Sequence, residues 1–148
     1  MHPEPTDELR TASFRDLDTT TLYAILKLRA DVFVVEQDCV YCDLDGRDNE
    51  PGTRHLWFER DDEVRAYLRI LDDGDVERIG RVVTAKSARG AGLAGRLMEE
   101  ALTVIGHRPS VLDAQAYLVK FYGRYGFEPT GPEYIEDGIP HIPMRREP

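Results

Sequence analysis

Residues 89–95 read Arg-Gly-Ala-Gly-Leu-Ala-Gly. A β-branched run, Val82-Val83-Thr84, ends shortly before them, and an amphipathic pattern begins inside them. Leu93, Leu97, Met98, Ala101, Leu102 and Ile105 recur at helical spacing on one face. The first amides of a helix have no intrahelical partner and carry partial positive charge, so a helix start of this kind binds phosphate. Gly90 and Gly92 let a ligand approach the backbone closely. Arg89 adds a planar cation able to bind two phosphate oxygens at once. The stretch reads as a pyrophosphate cradle.

Two patterns overlap there. Gly90-x-Gly92-x-x-Gly95 fits a dinucleotide fingerprint, with Asp113 at about the 20-residue distance expected of a ribose-binding acid. Arg89-x-x-Gly92-x-Ala94 is the second pattern. A glycine-rich strand-to-helix turn without a ligand is the plain alternative. The other spaced pair is Cys39-x-x-Cys42. Structural zinc asks for four ligands, and no second pair accompanies these two. A thioredoxin-like pair sits at a helix start after a strand. This one follows a helix pattern and precedes an acidic stretch, so two reduced loop thiols are expected, with no metal and with a redox-sensitive disulfide as the alternative.

The chain has 148 residues, 41% of them hydrophobic and 32% charged, with a formal net charge of −9. That length predicts one domain over residues 1–148 with a real core. The acidity argues against nucleic acid as a partner. No apolar run reaches the ~20 residues of a membrane span, and no secretory leader is evident. A cytoplasmic location is expected. A homodimer is the commonest soluble assembly, and nothing in the sequence specifies its interface.

Certain elements must position the cradle. Residues 1–11 are polar with two prolines and are expected to fray. A short strand is predicted at 12–17. Residues 18–21 supply N-cap types, and a helix is predicted over 22–33. Residues 38–52 have no periodicity and read as a long acidic surface loop. Strands at 55–60, 64–71 and 77–84, joined by tight turns, form an antiparallel meander that ends at the cradle. Such a meander weighs against the dinucleotide fold, which is built from parallel βαβ units. A strand at 111–114 should run parallel to the third meander strand. A helix over 117–125 is capped by Gly126. Residues 139–144 are predicted as an edge strand because of Pro140 and Pro143.

The pattern Arg89-x-x-Gly92-x-Ala94 after a meander, followed by Gln115 and Phe121-Tyr122-x-x-x-Gly126-Phe127, resembles the GCN5-related N-acetyltransferase (GNAT) superfamily. The stretches 32–37, Asp45-Gly46-x-Asp48, 79–82 and 138–141 resemble its ElaA-type branch. The resemblance spans nearly the whole chain. It implies an α/β (α+β) fold with a mixed, mostly antiparallel central sheet, splayed between strands 4 and 5 and flanked by helices on both faces. It also implies acetyl-CoA in the split, no metal, and direct attack of a primary amine on the thioester in a ternary complex.

The resemblance distributes roles by position. The backbone of Val82, Val83 and Thr84 would bind pantetheine and polarise the thioester carbonyl through amides freed by a bulge. Amides of Arg89, Gly90, Ala91, Gly92, Leu93, Ala94 and Gly95 would hold the pyrophosphate. Gln115 stands where many relatives have an asparagine that contacts pantetheine. Tyr122 would be the general acid, since a phenol with a pKa of about 10 stays protonated at neutral pH. Candidates for the base are Glu36, His141 and His55, histidine as a type being able to change charge near neutrality. Arg29, Arg81 and His55 are expected around the acceptor. Each of these side chains also has a plain alternative, an ion pair or a structural hydrogen bond.

The acceptor is not legible. The acidic residues between 43 and 50 could attract a cationic amine, either a small molecule or a lysine side chain, although like charge is more often solvated surface. Two further readings remain open: a non-catalytic acyl-CoA-binding module, which has no need of the Tyr122 phenol, and a small nicotinamide-dependent oxidoreductase.

Overall fold

The computed structural model describes residues 6–148. Strand β1 (Glu8–Ser13) starts earlier than expected and pairs along its length with β2 (Arg54–Arg60). Residues 8–11 are therefore ladder-bound rather than frayed, with Leu9 packed on the core. Residues 1–5 lie outside the described residues. Helix α1 (Thr19–Arg29) is capped by Asp18, whose carboxylate accepts from the Thr21 amide at 2.7 Å. The helix then widens into a π-helical segment, Ala30–Glu36. There the Gln37 amide donates to Val32 and the Cys39 amide to Val34, at 3.0 and 3.1 Å. The extra residue per turn resets which side chains face inward, and such widened turns recur at functional sites.

β2, β3 (Glu63–Asp72) and β4 (Glu77–Thr84) form the antiparallel meander. Helix α2 (Leu93–Ile105) follows the glycine loop and buries Leu93, Leu97, Met98, Ala101 and Ile105. β5 (Ser110–Gln115) returns parallel to β4, then α3 (Val119–Gly123) leads to β6 (Glu128–Pro129), β7 (Tyr134–Glu136) and β8 (Ile139–Arg146). The eight-stranded sheet runs β1-β2-β3-β4-β5-β8-β6, with β7 also on β8.

The middle of β3 is buried on both faces because each is covered by a helix. Neighbouring strand residues point to opposite faces. The Arg29 guanidinium at the end of α1 lies over Tyr67, and Arg96 of α2 lies over Phe58. Tyr67 is opposite Trp57, and Phe58 is opposite Ala66, so these rings are on different faces.

β8 is interior, between β5 and the short strands β6 and β7, rather than at an edge. Pro143 lies just past the end of the β6 ladder, and Pro140 just past the β5 ladder, which ends at Gln115–His141. The Pro143 carbonyl accepts from Thr130 at 2.9 Å, so its hydrogen-free nitrogen faces the same side. β6 has already ended there, and no ladder bond to β5 is lost.

Candidate active site

β4 and β5 pair only at Glu77–Ser110 and Arg78–Val111. Beyond that point the sheet parts, and a cleft of about 860 Å³ opens. Val82, Val83 and Thr84 border it from β4, Gln115 from β5, Tyr122 from α3 and His141 from β8. Glu36, Arg81, Arg89 and Ala94 border it as well.

β4 is bulged where it enters the cleft. Tyr67 is opposite Val83 and Arg69 is opposite Gly80, so Arg81 and Val82 together face Leu68. A residue inserted in this way leaves the ladder, and its polar groups turn elsewhere. Arg81 takes the left-handed φ of 54°. The glycine loop then turns back, with Gly90 and Gly92 at φ 90° and 74°. Gly92 caps α2 without a side-chain hydrogen bond, which leaves the first amides of α2 for a ligand. Ala91 is exposed on this loop, and Leu93 points into the core, so their contribution to a ligand would be main-chain. Gly95 has a different use. A Cβ there would lie 2.5 Å from the Tyr125 hydroxyl, so its bareness lets that ring seat on α2.

Arg89 is bidentate on Glu36, with Nη1 to Oε2 at 2.7 Å and Nη2 to Oε1 at 2.9 Å. The hydrogen bond from Arg89 holds the Glu36 carboxyl below its usual range. That weakens Glu36 as a base. His141 has the opposite character. Its Nδ1 lies 2.7 Å from the Ile139 carbonyl, which can only accept, so Nδ1 carries the proton. With Nδ1 engaged by the main chain, Nε2 is the nitrogen left for a ligand in the cleft. The ring stacks on Tyr134 and is opposite Gln115 across the ladder. Gln115 in turn donates to Gln37 at 3.3 Å. Tyr122 is 6% exposed, packed edge-on against Phe121 and Phe127. Burial pushes its phenol up, which keeps the proton in place at neutral pH.

Two residues expected around the acceptor lie elsewhere. Arg29 is fully buried, pairing with Asp43 at 2.9 Å and Asp48 at 2.6 Å. His55 is buried between the Tyr67 hydroxyl at 2.6 Å and the Asp48 carbonyl at 2.9 Å. Burial lowers its proton affinity, so it stays neutral as a structural link. Arg81 does reach the cleft, but Asp43 and Asp45 hold its guanidinium at 2.9 and 3.4 Å. Arg69, passed over in the sequence, binds Asp45 and Asp48. The available signal was an arginine in the apolar run Ala66 to Leu71, a position that demands carboxylates. Asp43, Asp45 and Asp48 are thus committed to arginines of the same chain, which removes the basis for reading them as a lure for cationic amines.

Both cysteines are free thiols: Cys39 donates to the Asp137 carbonyl and Cys42 to the Leu44 carbonyl. Asp113 pairs with Arg78 at 3.0 Å. With one parallel strand pair among the described residues, the dinucleotide reading lacks its fold. Among the described residues no cluster of acidic, histidine or cysteine side chains is arranged for a metal, and no helix is long and apolar enough to cross a membrane.

Comparisons with known proteins converge on one family. A profile described as an acetyltransferase (GNAT) domain matches residues 29–148. A UPF0039 protein of Mycobacterium tuberculosis is 49% identical over 146 residues, covering 95% of this chain and 94% of the relative. The crystal structure of an acyl-CoA N-acyltransferase from Pseudomonas aeruginosa superposes with a TM-score of 0.91 at 45% identity, covering 95% of this chain and 99% of that one. That of Escherichia coli ElaA gives 0.90 at 42% identity, covering 96% and 100%.

Proposed function

We propose, on the premise that this chain belongs to the GNAT acetyltransferase family and to its ElaA-like branch of acyl-CoA-dependent acyltransferases, that it moves an acetyl group from acetyl-CoA to a primary amine. The observation that carries this reading is convergence. A bulged strand, the two ends of a glycine loop at Arg89 and Ala94, a buried phenol and an imidazole whose Nδ1 is held by the main chain all border one cleft.

The chemistry follows from those positions. Amides of the glycine loop and of the start of α2 hold the pyrophosphate. Backbone from Val82 to Thr84 and the Gln115 amide hold the pantetheine arm. An amide freed by the bulge donates to the thioester oxygen as negative charge gathers there. The amine nitrogen attacks the carbonyl carbon, so that a C–N bond forms and the C–S bond breaks. His141 Nε2 takes the proton the amine must lose. Tyr122 gives its proton to the departing thiolate, and both groups reset by exchange with solvent.

Calorimetric titration with acetyl-CoA, with NADH and NADPH alongside, tests the reading for this chain. Binding of acetyl-CoA alone is expected, followed by thiol release when amines are supplied. Binding of a nicotinamide cofactor instead would overturn the reading.

Glu36 gives a separate test. Its pair with Arg89 competes with phosphate for the same guanidinium. Both groups are more than a third exposed, so solvent screens the pair and it adds little to stability. Glu36→Gln should therefore tighten coenzyme A binding by up to about five-fold and leave kcat within about three-fold. A fall in kcat of about 10²-fold or more would restore Glu36 as the base.

A further inference from the structure

The bulge in β4 has an unusual centre. Arg81 is a side-chain-bearing residue in the left-handed region, which strains any residue but glycine. Such strain persists only where the surroundings over-determine it. Here the surroundings are one short stretch of the long loop. Arg81 Nε lies 2.9 Å from Asp43 Oδ1, and Nη2 donates to the Asp43 carbonyl at 3.1 Å and lies 3.4 Å from Asp45 Oδ2. The guanidinium also lies 5.4 Å from the ring centre of Tyr41, whose hydroxyl donates to Asp43.

That stretch is itself tied down from behind. Arg29 of α1 and Arg69 of β3 bind Asp43, Asp45 and Asp48, and both arginines are buried. Arg69 is also the residue opposite Gly80, where the ladder resumes beyond the bulge. The anchors and the bulge therefore share one rigid frame.

We infer that Asp43 and Asp45, acting through the Arg81 guanidinium, are positioning residues that hold the β4 bulge in the shape needed to bind the thioester carbonyl. This rests on the acetyltransferase reading above. Neither carboxylate touches the reacting atoms. Their effect passes through the Arg81 backbone to the amides that follow it. Without the strap, Arg81 relaxes toward an extended conformation and the freed amide turns back to β3.

The contrast between two variants tests this. Arg81→Ala and Arg81→Gly lose the same side-chain contacts, but only glycine takes the left-handed conformation without strain. The readout is the infrared stretch of acetyl-CoA labelled with ¹³C at the thioester carbonyl, bound to the protein, with unlabelled coenzyme A affinity and thermal melting as controls. Wild type should shift the carbonyl to lower wavenumber relative to free acetyl-CoA. Arg81→Gly should keep the shift, and Arg81→Ala should lose it when both are compared at saturating acetyl-CoA. Asp45→Asn should behave like Arg81→Ala, and Arg81→Gly added to Asp45→Asn should restore the shift. The second pair decides the question if Arg81→Ala does not fold. Loss in both glycine and alanine variants, or retention in both, overturns the inference. So does a wild-type complex with an unshifted carbonyl, which leaves the acetyltransferase reading standing. Failure of wild type to bind acetyl-CoA at all overturns that reading, and the inference with it.

Discussion

Tyr122→Phe lowers kcat by about 10²–10⁴-fold and leaves acetyl-CoA affinity unchanged. The ring is buried and makes edge-on contacts with Phe121 and Phe127, at centroid distances of 5.0 and 6.4 Å, that phenylalanine preserves. Only the hydroxyl is removed, so the fold should tolerate the change. In the proposed mechanism the proton lost from the site is the one that keeps the departing thiolate from leaving as an anion. Burial raises the phenol, so the acid form persists across the neutral range and turnover should show no loss of Tyr122 function there. Steady-state thiol release with a competent amine, alongside calorimetric acetyl-CoA binding, checks both halves. An unchanged kcat would mean that the thiolate leaves unaided or draws its proton from elsewhere, and the phenol would revert to a packing role.

Asp48→Asn destabilises the fold by about 3–5 kcal/mol, a fall in melting temperature of roughly 10 °C. Asp48 is 8% exposed and receives both Arg29 Nη1 at 2.6 Å and Arg69 Nη1 at 3.0 Å. Neutralising it leaves two buried cations sharing the remaining carboxylates. Burial works against the charged form of Asp48, but the hydrogen bonds and charges of Arg29 and Arg69 outweigh it, and the carboxyl sits below its usual range. A carboxyl lowered in the folded state contributes stability that is complete above its unfolded value of about 3.9 and is lost as pH falls through the folded value. The gap between wild type and Asp48→Asn should hold steady from neutral pH to about pH 5 and shrink below it. Urea melts of both proteins across that range measure the gap. A gap that stays constant to strong acid would show that the asparagine costs packing rather than charge.

The elements were legible where their signals are local. Asp18 before a helix, the apolar stripe of α2, the tight turns of the meander and Gly126 after α3 each lie within a few residues of what they control. The glycine turn into α2 was legible for the same reason. Edge effects were less so. The prolines of β8 suggested an edge, and they sit inside the sheet because the β6 ladder ends beside Pro143 and the β5 ladder beside Pro140. The π-helical turn after Arg29 left no periodic mark, because its apolar residues still fit a helix of ordinary pitch.

The partners of the charged residues were not legible at all. Arg29 and Asp48 are separated by 19 residues, Arg81 and Asp43 by 38, and Arg89 and Glu36 by 53. By itself the sequence determined which residues could bend, cap, bury or donate, since conformational preference and hydrophobic periodicity act over a turn or a strand. The tertiary structure alone decided which arginine meets which carboxylate, and so which charges are structural and which face the cleft. An ion pair depends on two side chains brought within a few ångströms by the packing of separate elements, and no local pattern carries that distance.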